Sequence, residues 1–106
     1  MATEIGQTSR THPAALQDGQ GMWHLLFQSE DFSNRLLYVT SDDGGAGWAM
    51  GPGTGQTTSA PPAIALVPPN LLVAVFIAND TSWRVLYSVL DLNERPDLRA
   101  WRLGGK

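Results

Sequence analysis

A tryptophan in a polar turn is the residue of this sequence best placed for binding chemistry. Trp83 stands between Ser82 and Arg84, in a turn that gives an aromatic ring little packing to do. An aromatic face suits the C–H face of a sugar ring, and charged neighbours suit its hydroxyl groups. The sequence therefore predicts a carbohydrate site that includes Trp83 and Arg84. The alternative is that Trp83 packs across a joint between subunits.

Charged side chains of related turns extend this candidate site. They are the ligand-binding candidates Arg10, Glu30, Asp31 and Asp80. Glu30 and Asp31 also form a carboxylate pair of the kind that a glycosidase uses as acid and base. Adjacent exposed carboxylates are more commonly just solvated, and a sialidase needs a convergent arginine cluster to which only Arg10 could be added. We therefore predict no catalytic residue and no enzyme activity.

Two copies of one sequence repeat supply these turns. Gly6-Gln7-Thr8 returns as Gly55-Gln56-Thr57, and the difference between 6 and 55 is an offset of 49 residues. We assign repeat one to residues 6–54 and repeat two to residues 55–106, within a single unit of residues 1–106. A period of roughly 40–50 residues is typical of one blade of a β-propeller or of one helical solenoid unit.

Short apolar runs between turn residues favour strands over helices. Repeat one has such runs at residues 13–16, 22–28, 35–41 and 48–50, and repeat two has them at 62–67, 71–77, 84–90 and 100–103. Gly and Pro interrupt every candidate helix, so each repeat predicts four antiparallel strands. Residues 71–77 are apolar on both faces, which indicates a strand covered on both sides.

The turn at residues 41–48 fits the pattern S-x-D-x-G-x-x-W. Its motif positions are Ser41, Asp43, Gly45 and Trp48. The Asp43 carboxylate can accept hydrogen bonds from amides of its own turn, and Gly45 permits a positive φ. The motif resembles the Asp-box of bacterial neuraminidase-type propellers, a structural turn between the third and fourth strands of a blade. Trp48 is then expected to open the fourth strand and bury its ring between sheets.

Repeat two departs from this motif. Leu90 and Leu92 stand at its Ser and Asp positions, and Trp101 lies 53 residues after Trp48, so four residues are inserted within 91–99. Arg35 and Arg84, by contrast, recur in both repeats. A salt bridge to Asp31 or Asp80 therefore competes with ligand binding as the role of these arginines.

The resemblance implies an all-β fold, a β-propeller with two four-stranded blades per chain. Two blades leave apolar faces open, and closed propellers have roughly four to eight blades. The chain is similar to small two-blade bacterial lectins that trimerise into a six-bladed ring, so we expect a homotrimer, with a tetramer as the alternative. The implied function is multivalent carbohydrate binding. The alternatives are an assembly scaffold or propeller fragment without a sugar ligand, and a remnant of a sialidase-type hydrolase.

Composition argues against several other classes of function. The net charge is −3 and the seven Lys and Arg residues are scattered, which disfavours nucleic acid as a partner. The chain has no cysteine, and His12 and His24 lack partner histidines at metal-ligand spacing, so we predict no metal and no cofactor. The longest apolar run is far too short to cross a bilayer. No secretory signal is visible, which leaves a cytoplasmic location or release without a conventional signal.

Overall fold

The part of the chain that the structure describes forms eight strands and no α-helix. A computed structural model describes residues 9, 11–30, 33–79 and 82–103. The strands are β1 (Ala14–Gln17), β2 (Trp23–Gln28), β3 (Leu36–Ser41), β4 (Ala49–Met50), β5 (Ala63–Val67), β6 (Leu71–Ile77), β7 (Val85–Asp91) and β8 (Arg102–Leu103). A short 3-10 turn, Pro96–Leu98, lies in the segment predicted to hold the insertion.

The strands pair into two antiparallel sheets of four, each in chain order. Sheet 1 contains β1 to β4, and sheet 2 contains β5 to β8. Phe27 lies opposite Leu37 in sheet 1, and Phe76 lies opposite Leu86 in sheet 2. These two pairs are 49 residues apart in the sequence, so both sheets have the same register. The predicted all-β class with two sets of four antiparallel strands is confirmed.

One face of sheet 1 packs against one face of sheet 2, and we call this contact the internal joint. Its buried side chains are Leu26, Leu36 and Tyr38 from sheet 1 and Leu72, Ala74, Phe76, Leu90 and Trp101 from sheet 2. Burial of one large apolar side chain contributes about 1.5–3 kcal/mol. The internal joint is therefore the main hydrophobic core of the chain.

The segment that connects the sheets stays paired with the edge of β3 before it crosses to β5. The Thr54 hydroxyl donates to the carbonyl of Leu36 at 2.6 Å, and the amide of Leu36 donates to the carbonyl of Gln56 at 2.9 Å. Farther along, the amide of Thr58 donates to the carbonyl of Asn34 at 2.8 Å. These bonds fix the position at which the second sheet begins relative to the first.

The outer face of sheet 1 carries a second, smaller core. Leu25, Phe27 and Val39 are buried there, with Leu37 and Trp48 packed against them. Within one chain the half-buried ring of Trp48 therefore lies on a single sheet, not between two sheets as expected. The reason is that this face of sheet 1 is turned away from sheet 2.

Gly51 is a position at which a small change should damage the internal joint. A Cβ atom at Gly51 would clash with Cε2 and Cδ2 of the buried Tyr38 ring. We expect Gly51→Ala to lower the free energy of unfolding by about 1–3 kcal/mol, the usual cost of overpacking. Gly53→Ala is the control, because its Cβ would meet nothing within 4 Å. Equal midpoints for the two variants in urea denaturation would contradict this packing.

Candidate functional site

The side chain of Trp83 projects from the turn between β6 and β7. It is 70 % exposed. Its backbone has a φ of 58°, and the repeat-equivalent residue Asn34 has a φ of 59°, so both residues lie in the left-handed region. Asparagine enters this left-handed region more readily than other non-glycine residues, whereas a bulky side chain there is strained.

The arginine that follows each of these turn residues is held by a serine of its own turn. Nε of Arg84 donates to the hydroxyl of Ser82 at 3.1 Å, and Nε of Arg35 donates to the hydroxyl of Ser33 at 3.1 Å. Both arginines are exposed. The hydrogen bond from Nε of Arg84 to Ser82 therefore holds the guanidinium group in its own turn, next to Trp83 in the sequence.

The other predicted ligand-binding residues are divided between two places. Arg10, Asp31 and Asp80 lie outside the described residues, and with them lie the predicted salt bridges of the repeat arginines. Glu30 is exposed in the turn between β2 and β3, which is equivalent to the Trp83 turn but belongs to the other sheet. The structure thus brings Trp83 and Arg84 together and places Glu30 in a separate turn.

Hydrogen bonds from the motif residues close the turn at residues 41–48. The Ser41 hydroxyl donates to Oδ1 of Asp43 at 2.8 Å and accepts from the Gly45 amide at 2.9 Å. Oδ1 of Asp43 also accepts from the Gly47 amide at 2.8 Å, and Nε1 of Trp48 donates to the Gly45 carbonyl at 3.0 Å. The bonds from Gly47 and Ser41 hold the pKa of Asp43 below its ordinary value. The carboxylate of Asp43 is thus engaged by its own turn.

Trp101 occupies in sheet 2 the place that Trp48 occupies in sheet 1. The strand registers establish this, since Ser88 lies opposite Leu103 as Val39 lies opposite Met50. Trp101 is buried in the internal joint. Its ring meets the ring of Tyr38 edge-on, with centroids 5.1 Å apart and planes at 86°. Such edge-to-face contacts add about 0.5–1.5 kcal/mol beyond the burial of apolar area.

A buried polar network that sequence reasoning missed lies beside this contact. His24 is fully buried, with Nδ1 at 2.7 Å from the Tyr38 hydroxyl and Nε2 at 2.8 Å from Oδ2 of Asp18. Because an ionised carboxylate only accepts, Nε2 donates to Asp18, and the second hydrogen bond joins Nδ1 to the tyrosine hydroxyl. The available signal was an aspartate in the β1–β2 turn, six residues before the histidine.

The network shifts the titration of its two acidic groups in opposite directions. Partial burial raises the pKa of Asp18, but hydrogen bonds from His24 and from the amides of Gln20 and Met22 outweigh burial, so the pKa lies below its ordinary value. Burial raises the pKa of Tyr38, which keeps its hydroxyl neutral. Asp18 is therefore an anion and Tyr38 is neutral at neutral pH.

A cleft of about 460 Å³ opens next to Asp18 between the two sheets. Its charged lining residues are Asp18, Asp42 and Arg99. Arg99 donates to the carbonyls of Leu92 at 2.8 Å and of Glu94 at 3.0 Å. Arg99 and Asp18 are thus both engaged by hydrogen bonds within the protein.

Comparisons with known proteins give no information on this site. No protein-family model, no curated protein sequence and no solved structure matches this chain. Across the described ranges, no group of three or more His, Asp or Glu side chains is arranged to hold a metal ion. The helical structure that is described contains no segment long and apolar enough to span a membrane.

The Asp18 network predicts a pH dependence of stability. The folded-state pKa of Asp18 lies below its ordinary value of 3.8, so its ionised form stabilises the fold above that pH, and this contribution is lost as pH falls through the folded pKa. We expect Asp18→Asn to be less stable than the wild type at pH 7, with a difference that shrinks at about pH 3. Urea unfolding at both pH values measures it.

Asp97→Asn is the matched control, because Asp97 and its partner Arg95 are both largely exposed and such pairs contribute little. A difference between Asp18→Asn and the wild type that is the same at both pH values would contradict the network.

Proposed function

We propose that this protein is a carbohydrate-binding lectin whose chains close head to tail into a six-bladed β-propeller. Each chain supplies two blades, so three chains complete the ring, with one Trp83 site per chain. The two four-stranded antiparallel sheets, stacked face to face and each in chain order, support the assignment of the sheets as blades. The hydrogen bonds of the 41–48 turn give further support, since Ser41 and Asp43 play the roles expected of an Asp-box.

The observation that carries the binding assignment is the exposed, strained position of Trp83. A bulky residue on a left-handed backbone costs about 1–3 kcal/mol. Within the chain, packing does little to offset this cost, because 70 % of the residue is exposed. In repeat one, asparagine holds the equivalent left-handed position at residue 34. Strain of this kind is concentrated at ligand-binding and catalytic sites, and it favours a ligand for Trp83.

The chemistry of the turn suits a sugar. The indole face stacks on the apolar C–H face of a pyranose ring, and the guanidinium of Arg84 donates hydrogen bonds to its hydroxyl groups. Arg10, Asp31, Asp80 and Glu30 remain candidates for further hydroxyl contacts. Stacking and hydrogen bonding need no reacting group, so the proposal includes no catalytic residue, metal or cofactor.

Ring closure explains how a shallow site gains useful affinity. A six-bladed ring presents three Trp83 sites on one face, and linked sites raise avidity by about 10²–10⁴-fold without any new contact. An assembly scaffold without a sugar ligand is the second candidate. The exposed apolar side chains on the outer face of sheet 2 favour assembly whether or not a sugar binds.

Replacing Trp83 with the residue that its own repeat uses tests the binding assignment. We expect Trp83→Asn to abolish binding to a glycan array, to leave the oligomeric mass unchanged, and to stabilise the fold by about 1 kcal/mol through relief of strain. Trp83→Phe is the control, because it keeps an aromatic face and should retain part of the binding.

Three results would count against this assignment. If the wild-type protein binds no glycan on the array, the lectin function is wrong and the scaffold function is the remaining candidate. If Trp83→Asn binds glycan as the wild type does, the binding site does not include Trp83. Dissociation of the Trp83→Asn oligomer would make Trp83 a packing residue.

A further inference from the structure

We infer that the outer face of sheet 2 docks against the outer face of sheet 1 of a second copy, and that Tyr87 packs edge-on against Trp48 of that copy. This inference rests on the ring proposed above and names the two surfaces that meet at each joint between chains. It follows from the internal joint, whose residues recur 49 positions apart in the sequence.

The first surface is the repeat equivalent of the face that sheet 1 buries in the internal joint. Leu26 and Tyr38 lie opposite each other on that face, and Val75 and Tyr87 lie opposite each other on the outer face of sheet 2. We call Val75, Val85 and Tyr87 the docking strip. Its members are the repeat equivalents of Leu26, Leu36 and Tyr38.

The docking strip is exposed to solvent, whereas its repeat equivalent in sheet 1 is buried. Leu36 is 2 % exposed and Val85 is 70 % exposed. Tyr38 is 2 % exposed and Tyr87 is 46 % exposed. The same repeat position is thus buried in sheet 1 and open in sheet 2. The difference arises because sheet 2 covers one strip and no described residue covers the other to the same extent.

The second surface is a groove on the outer face of sheet 1. It measures about 320 Å³ and is lined by Ala15, Trp23, Leu25 and Trp48 together with Gly44 and Gly45. The repeat equivalents of its four side chains are Ile64, Leu72, Ala74 and Trp101. All four belong to the surface of sheet 2 that covers sheet 1 in the internal joint. The groove therefore has the apolar character of the surface that contacts the equivalent strip in the internal joint.

The aromatic contact at the centre identifies the key pair. Tyr38 meets Trp101 edge-on in the internal joint, and the equivalent residues are Tyr87 and Trp48. Both members of this second pair remain partly exposed within one chain. Docking of a second copy would bury both rings edge-on, as Tyr38 and Trp101 are buried within the chain.

The residues at the positions around Tyr87 are less polar than those around Tyr38. Asp18 and His24 surround Tyr38, but Val67 and Val73 occupy the equivalent positions near Tyr87. At the rim of the internal joint, Nδ2 of Asn34 donates to Oδ1 of Asn79 at 3.2 Å. The equivalents of that pair are Trp83 and Glu30, so the second copy brings the Glu30 carboxylate to the Trp83 turn.

The two surfaces differ from each other, so the contact is head to tail. A heterologous contact of this kind closes into a ring or runs on as a filament, and it never pairs a surface with itself. One variant can have its docking strip blocked, and a second variant can have its groove blocked. When the two are mixed, the intact groove of the first and the intact strip of the second should form a single joint.

Complementary blocking variants test this arrangement. Tyr87→Arg blocks the docking strip, and Ala15→Arg blocks the groove at an exposed strand position. We expect each variant alone to be a folded monomer by far-ultraviolet circular dichroism and light scattering, and the equimolar mixture to be a dimer of twice the chain mass. Leu98→Arg is the control, because Leu98 is an exposed apolar residue outside both surfaces and its oligomer should match the wild type.

The outcomes separate this inference from the proposed ring. A monomeric wild type would overturn both the ring and this joint. An oligomeric wild type with an unaffected Tyr87→Arg variant, or a mixture that stays monomeric, would overturn the joint alone. If Tyr87→Arg fails to fold, Val85→Arg gives the same test at the more exposed end of the docking strip.

Discussion

Burial of apolar side chains between stacked sheets is the interaction on which the rest of this structure depends. Both faces of each sheet carry large apolar residues, as the alternate positions of β2 and β6 show. One chain covers only one such face with another sheet. The strands, the connecting segment and the turns all serve to bring Tyr38 and Trp101 into contact across that single joint.

The internal joint differs from its repeat equivalent in the polar groups that it buries. Both ring nitrogens of His24 have partners, so the carboxylate of Asp18 and the hydroxyl of Tyr38 are each paired at the joint. Val67 and Val73 stand at the equivalent positions of sheet 2. Directional hydrogen bonds thus contribute to the internal joint, whereas the proposed joint between chains would rest more on apolar contact. This asymmetry fits the proposal that one joint forms on folding and the other on association.

The sequence predicts the strands well because their signals are local. Residues 71–77 form a strand with the predicted bounds, since an apolar run ends at polar turns on both sides. The fourth strands, β4 and β8, are shorter than predicted, because the turns before Ala49 and Arg102 extend farther along the chain. The offset of 49 residues anticipates the shared register of the two sheets.

The internal joint and the site are harder to predict because they depend on which faces meet. His24 does not lie directly opposite Tyr38 in the strand register, and its contact with Asp18 requires the β1–β2 turn to fold back. Which tryptophan is buried between sheets also depends on the stacking, and it is Trp101 within one chain. The strain at Trp83 follows from its left-handed φ, which it shares with Asn34 and which no composition or spacing argument supplies.

We propose that the joint formed inside the chain is repeated between chains until the ring closes. Native mass spectrometry of the wild-type protein would then show one dominant species with three times the chain mass of 11.5 kDa. Four chain masses would keep the repeated joint in an eight-bladed ring. A single chain mass at concentrations of about 10–100 μM, well above a typical micromolar dissociation constant, would contradict it.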